Sequence, residues 1–190
     1  MKVLVFDHMD ECTEAEVQRM LPLVSQQRRE QALKYKHTFG QYCCLKSWLM
    51  LKEGISGLGV SGLGDFKYNE HGKPFIEGAP YFSISHCKDG IAVAINDTPI
   101  GIDIESIRHA DESLIERTMS ENEIRLIANS QQLTADRAFT RLWTQKEAIV
   151  KAQETGIVSF EQLQKTLDNG HWTLDTFESE KYIYSIAYGK

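Results

Sequence analysis

Apolar positions recur along this chain with two periods, and the change from one to the other marks out its elements. Residues 2–6, a short apolar run rich in valine, read as a strand. Thr13-Glu14-Ala15-Glu16 has the form of a capping box opening a short helix, which Pro22 ends. Ser25 caps a longer predicted helix that carries Arg28, Arg29, Lys34 and Lys36 and runs on into the apolar stretch 45–51. Gly54, Gly57, Gly59, Gly62 and Gly64 follow as a connection; no Lys-Ser/Thr stands in the frame of a phosphate-binding loop, so it reads as a linker. Residues 66–69 form a short strand, Glu70-His71-Gly72 a turn, and residues 81–85 and 91–95 a hairpin. Asp97-Thr98-Pro99 breaks the chain, and the boundary between two lobes, 1–98 and 99–190, is placed there. The second lobe opens on a strand at 100–105. A second capping box, Ser120 to Glu123, starts a helix, and Glu123 is read as a capping residue worth about 1 kcal/mol. A long helix is expected over 136–154 with Gly156 past its end, then a short helix capped by Ser159 and strands at 172–177 and 182–188.

Composition narrows the class. The chain has 190 residues, 42% hydrophobic and 25% charged, which suits one large domain or two small lobes and not an extended disordered chain. A net charge of -6 argues against a broad nucleic-acid-binding face, which needs a basic surface, and leaves room for a local basic pocket. Cys12, Cys43, Cys44 and Cys87 form no CxxC pair and read as reduced thiols. The apolar run at the start is too short for a signal-peptide core, and no stretch has the length of a membrane span, so a cytoplasmic protein without membrane contact is expected.

Three segments carry candidate chemistry. In Ile100-Gly101-Ile102-Asp103-Ile104-Glu105 the isoleucines share one strand face and Gly101, Asp103 and Glu105 the other. Two carboxylates at i and i+2 stand roughly 6–7 Å apart at their Cα atoms, close enough to converge on a hard cation such as magnesium. Gly101 leaves room beside them for a ligand. By itself the hexapeptide equally suits a half-buried strand with a wet acidic face. In residues 142–151, LWTQKEAIVK, the side chains of Trp143, Glu147 and Lys151 are four apart and share a helix face. Glu147 could be a third metal ligand and Lys151 a proton donor or phosphate clamp, while Glu four residues before Lys is also a common surface pair. His86 closes the strand segment Phe82-Ser83-Ile84-Ser85 directly before a turn, where it could bind phosphate or merely face solvent.

Taken in order, the basic helix, Gly72-Lys73-Pro74, the SISH segment, GIDIE and WTQKEAIVK closely resemble the Sfp-type 4'-phosphopantetheinyl transferases over about residues 25–156. That resemblance implies an α+β fold of two similar lobes, a pseudo-dimer, with the active site between them. It implies Mg²⁺ held by Asp103, Glu105 and Glu147, and coenzyme A held by Lys73, Ser85 and His86, with Arg28 on its phosphates and Lys146 a further contact. Glu147 or a metal-bound water would take the proton of the acceptor serine, and Lys151 would assist the leaving group. The implied activity moves the 4'-phosphopantetheine group of coenzyme A onto a serine of an acyl or peptidyl carrier protein, with adenosine 3',5'-bisphosphate leaving. A monomer is implied, because both lobes lie in one chain. The sequence departs from the family's usual pattern at Cys87, at the Cys43–Cys44 region, which lacks a basic residue, and at Gln153-Glu154-Thr155-Gly156, which keeps only the second glycine of a pair. Two other classes share parts of the pattern: a different magnesium-dependent phosphoryl-transfer enzyme, and a non-catalytic coenzyme A binding module.

Overall fold

A computed structural model describes residues 1–59, 64–130, 132–156 and 159–189. Gly62 of the glycine-rich connection lies outside the described residues. In chain order the described elements are β1 (Lys2–Phe6), α1 (Glu14–Met20), α2 (Gln26–Leu33), α3 (Thr38–Ser56), β2 (Lys67–Tyr68), β3 (Pro74–Phe75), β4 (Tyr81–Cys87), β5 (Gly90–Asn96), β6 (Ile100–Ser106), α4 (Glu112–Thr118), α5 (Glu121–Ala128), α6 (Gln132–Gln153), α7 (Phe160–Gln164), β7 (Trp172–Glu178) and β8 (Tyr182–Gly189). Helices and small antiparallel sheets are mixed in one α+β fold.

The helix expected from Ser25 through the apolar stretch is two helices. Lys34 caps α2, and His37, in an extended conformation, precedes α3. The Tyr35 ring folds back over Gly40, where a Cβ would come within 2.7 Å of it, so the break is held by packing on a residue that has no side chain. The predicted caps form at Thr13, Ser25 and Ser159, each accepting a backbone N–H of the first turn. Helix α4, capped by Asp111, was not anticipated from the pattern.

Two three-stranded sheets form the framework, with strand orders β1-β5-β4 and β6-β8-β7, all pairs antiparallel. Strand β5, Gly-Ile-Ala-Val-Ala-Ile-Asn, explains how they meet. Ile91, Val93 and Ile95 pack with Leu45, Trp48, Leu51 and Ile55 of α3. Ala92 and Ala94, on the other face, pack with Ile100, Ile102 and Ile104 of β6. Large residues thus seat a helix and small ones admit the second sheet. At the edge of β6 the Ile102 N–H donates to Ser83 Oγ of β4 at 3.0 Å, so a side chain satisfies a backbone group that no strand pairs.

On its opposite face β6 receives α6. Gly101 does not leave space for a ligand there, as the sequence suggested. A Cβ at this position would overlap the Ala148 carbonyl oxygen and lie 2.6 Å from the Ala152 nitrogen. The missing side chain lets the helix backbone settle onto the strand, with Ala148 and Ala152 as its own small residues. Gly101→Ala is therefore expected to destabilise the protein by about 3 kcal/mol, because neither backbone can yield alone. Urea unfolding of the variant beside wild type checks this; an unchanged midpoint would contradict it.

Candidate active site

The side chains that α6 and β6 present to one another pair along their length. At one end, Trp143 stands beside Glu105, and the indole works against the rise that burial imposes on the Glu105 pKa. At the other, Lys151 Nζ donates to Asp103 Oδ1 at 2.7 Å and to Ser85 Oγ of β4 at 3.1 Å, while Ser85 Oγ donates to the same Asp103 oxygen at 2.8 Å. Glu147 lies between them, one helical turn before Lys151. Trp143, Glu147 and Lys151 therefore act as one helical face, and the alternation of β6 supplies the two carboxylates they meet. Asp103 is 4% exposed.

Gathering acids in a buried place has an electrostatic cost. Glu147 is pushed up to about 7, first by burial and then by the Asp103 carboxylate, with the Lys151 ammonium pulling the other way. Glu105 is raised as well, by burial first and by Asp103 next. His86, on the opposite face of β4, has a solvent-accessible edge, yet surrounding protein and then the Lys151 charge lower its pKa. Its ring meets Phe39 edge-on at 6.0 Å.

The raised Glu147 makes stability depend on pH. A carboxyl whose folded pKa exceeds its unfolded value stabilises the fold at low pH, and that contribution is lost as pH rises through the folded value. The metal-free protein is expected to lose stability between about pH 4.5 and about pH 7. Glu147→Gln should remove most of that slope and melt higher than wild type at pH 8. Thermal melts across this range check it; an identical slope in the variant would contradict the cause.

Asp103 Oδ2 and Glu147 Oε1 are buried with no hydrogen-bond partner. Buried carboxylate oxygens left without donors are acceptors for a cation, and magnesium characteristically takes one or two carboxylates and completes its shell with phosphate oxygens and water. The donor set fits a hard divalent ion in that way. Among the described residues, though, no three His, Cys, Asp or Glu side chains converge as a preformed metal cluster. Lys151 holds Asp103 Oδ1.

Beside the carboxylates lies a crevice of about 280 Å³ lined by Lys73, Pro74, Phe82, Glu147, Lys151 and Glu154 among others. Lys73 reaches it from the turn between β2 and β3, donating to Ile100 O at 3.2 Å, Lys151 O at 2.8 Å and Glu154 Oε1 at 2.9 Å. Asn69 Oδ1 accepts the Lys73 N–H at 2.8 Å and fixes the turn. Lys73, Ser85, Asp103, Glu147 and Lys151 are thus brought together.

Two expected contacts are elsewhere. The Arg28 guanidinium donates to the Cys44 carbonyl at 3.2 and 2.9 Å and lies 4.6 Å over the Phe66 ring, spent on joining α2 to α3. Lys146 is 0% exposed, on a different face of α6 from Glu147. Its Nζ donates to Glu123 Oε2 at 2.7 Å, Thr118 O at 2.9 Å and Leu163 O at 2.9 Å, so no N–H is left for a ligand. Sequence reasoning missed this buried pair because Glu123 already had a local role: its Oε2 also accepts the Ser120 N–H at 2.6 Å. It missed the Ser83 contact too, since that depends on a tertiary neighbour.

Comparison with known proteins adds an independent line. Residues 99–187, from β6 to β8, match the family described as the 4'-phosphopantetheinyl transferase superfamily. The chain is 32% identical over 136 residues to the 4'-phosphopantetheinyl transferase gsp of Aneurinibacillus migulanus, covering 70% of this chain and 57% of that protein. It is 29% identical over 182 residues to a 4'-phosphopantetheinyl transferase of Bacillus subtilis, covering 91% and 80%. It is 42% identical over 114 residues to AcpT of Salmonella typhimurium, covering 55% and 57%. The chain spans 57% of the length of the first of these relatives. The resemblance drawn from the motifs is borne out by these matches. No described helix is long and apolar enough to cross a membrane.

Proposed function

We propose that this chain is an enzyme of that superfamily, transferring 4'-phosphopantetheine from coenzyme A to a serine of an acyl or peptidyl carrier protein. The observation that carries the reading is the group of Asp103, Glu147 and Lys151, two carboxylates with orphaned buried oxygens and one ammonium, beside a crevice that also holds Lys73.

The chemistry follows from these groups. The serine oxygen attacks the phosphorus that bears the pantetheine arm, forming a new P–O bond. The bond to the bridging oxygen breaks, and its electrons leave on adenosine 3',5'-bisphosphate. Glu147, or a metal-bound water beside it, would accept the serine proton. Lys151 Nζ, oriented by Asp103 and Ser85, is placed to meet the charge that develops on the leaving oxygen. Asp103, Glu147 and, two residues along the strand, Glu105 would hold Mg²⁺, which when bound neutralises diphosphate charge. Lys73 at the crevice, and His86 on the other face of β4, would hold coenzyme A. Burial of Gly101 under α6 fixes the spacing of strand and helix on which this depends.

The remaining parts of the proposal are architectural. The sheets β1-β5-β4 and β6-β8-β7 support a division into lobes 1–98 and 99–190 with the crevice between them. A duplicated, pseudo-dimeric arrangement in one chain would act as a cytoplasmic monomer, which sizing chromatography checks. Mass spectrometry of an apo carrier protein incubated with this enzyme, coenzyme A and Mg²⁺ tests the activity. A mass gain of one phosphopantetheine on the carrier is expected, and an unmodified carrier would sink the proposal. In calorimetry, Lys73→Ala and His86→Ala should each weaken coenzyme A binding about tenfold, as expected when a charge-assisted contact is lost. Affinities equal to wild type would remove both from the binding site.

A further inference from the structure

Helix α6 ends in an uncommon way. Glu154 adopts φ 63°, a left-handed conformation that costs a residue with a Cβ and that glycine adopts freely. It is the sole non-glycine with positive φ among the described residues. The turn is held from the other sheet's side of the molecule: Asn69 Nδ2 donates to Glu154 O at 3.4 Å, and Lys73 Nζ donates to the Glu154 carboxylate. The Lys73 side chain is 14% exposed and that of Glu154 40%, so the pair closes over a cation that is mostly buried. The other two ammonium hydrogens go to the carbonyls of Ile100 and Lys151, both neutral. Among the described residues Glu154 is therefore the one negative group on Lys73, and it reaches that position from a strained backbone beside the crevice that Glu147 and Lys151 line.

We infer that Glu154 is an internal competing anion: its carboxylate occupies the place on Lys73 that a phosphate of coenzyme A takes, so the substrate binds by displacing it. This rests on the reading of Lys73 as a coenzyme A contact. A carboxylate there weakens binding of every anion that needs Lys73, and the weakening is removed by taking away its charge. Both hydrogen-bonding carbonyls stay in place when Glu154 swings out, so the ammonium keeps its position while its third donor turns to the phosphate.

Calorimetric titration of coenzyme A into wild type, Glu154→Gln, Lys73→Ala and the double variant tests this. Gln keeps the size and the backbone preference and removes only the charge. Glu154→Gln should bind about 3- to 5-fold tighter than wild type, the scale of a partly exposed ion pair. In the Lys73→Ala background the same change should have no effect. Thermal melts confirm that each variant is folded. Equal or weaker binding by Glu154→Gln overturns the inference and leaves the proposed function standing. A gain that persists without Lys73 overturns it as well, since the carboxylate would then act by general repulsion. Failure of wild type to bind coenzyme A at all would remove both the inference and the reading beneath it.

Discussion

Glu123→Ala is expected to lower the stability of the protein by about 3–5 kcal/mol, several times the cost of a lost helix cap. The reason is the pair it makes with Lys146. Burial pushes the Lys146 pKa down, and the Glu123 carboxylate, by hydrogen bond and by charge, pulls it partly back. Without Glu123 the ammonium remains in the interior bonded to the carbonyls of Thr118, Leu163 and Gln164, with the Asp168 charge acting on it only from farther off. Those three carbonyls belong to the end of α4 and to α7, and Glu123 belongs to α5, so this one side chain ties three helices to α6. Removing one partner of a buried pair leaves a charge that nothing compensates, whereas removing both does not. The double variant Glu123→Leu with Lys146→Met should therefore recover much of the loss. Denaturant unfolding of the three variants decides the matter. A cost near 1 kcal/mol for Glu123→Ala would mean that the capping role is its whole contribution.

The same comparison shows what the sequence could convey. Strand alternation put Asp103 and Glu105 on one face of β6, and helical spacing put Trp143, Glu147 and Lys151 on one face of α6; the structure turns those two faces toward each other. Periodicity reports which residues share a face, and that is a local property. It does not report what a face meets. Gly101 was read as space for a ligand and is instead the seat of a helix backbone. Lys146 was read as a substrate contact on the resemblance alone, and it lies next to Glu147 on a helix whose neighbours point about 100° apart. Arg28 was read as a phosphate contact and is occupied by the Cys44 carbonyl and two aromatic rings. Each of these depends on an element distant in sequence, α5 at Glu123 for Lys146 and α3 for Arg28. The break between α2 and α3 was hidden for a related reason: Tyr35 packs on Gly40 there, and α3 starts without a proline or a side-chain cap at His37.

The largest effect on activity is expected at Asp103 and Glu147. Asp103 orients Lys151 and Ser85 through Oδ1 and offers a second, unpartnered oxygen; Glu147 offers another. Asp103→Asn and Glu147→Gln preserve shape and remove the charge. Both should lower the transfer rate by at least about 100- to 1000-fold, the scale seen when one electrostatic stabiliser of a transition state is lost. Glu147→Gln should not unfold the protein, because acids crowded together repel one another in the absence of a cation; Asp103→Asn also gives up the ion pair with Lys151, so its melt is recorded beside its activity. Glu147→Gln should even melt higher than wild type at pH 8, so a loss of activity there cannot be assigned to a loss of fold.

Single-turnover loading of an apo carrier protein by Glu147→Gln, with coenzyme A and Mg²⁺ in excess and the carrier weighed over time, tests the central claim most directly. The account predicts a folded variant that loads the carrier orders of magnitude more slowly than wild type. Loading at a rate near wild type would contradict it, and would show that the carboxylates between β6 and α6 are not the site of transfer.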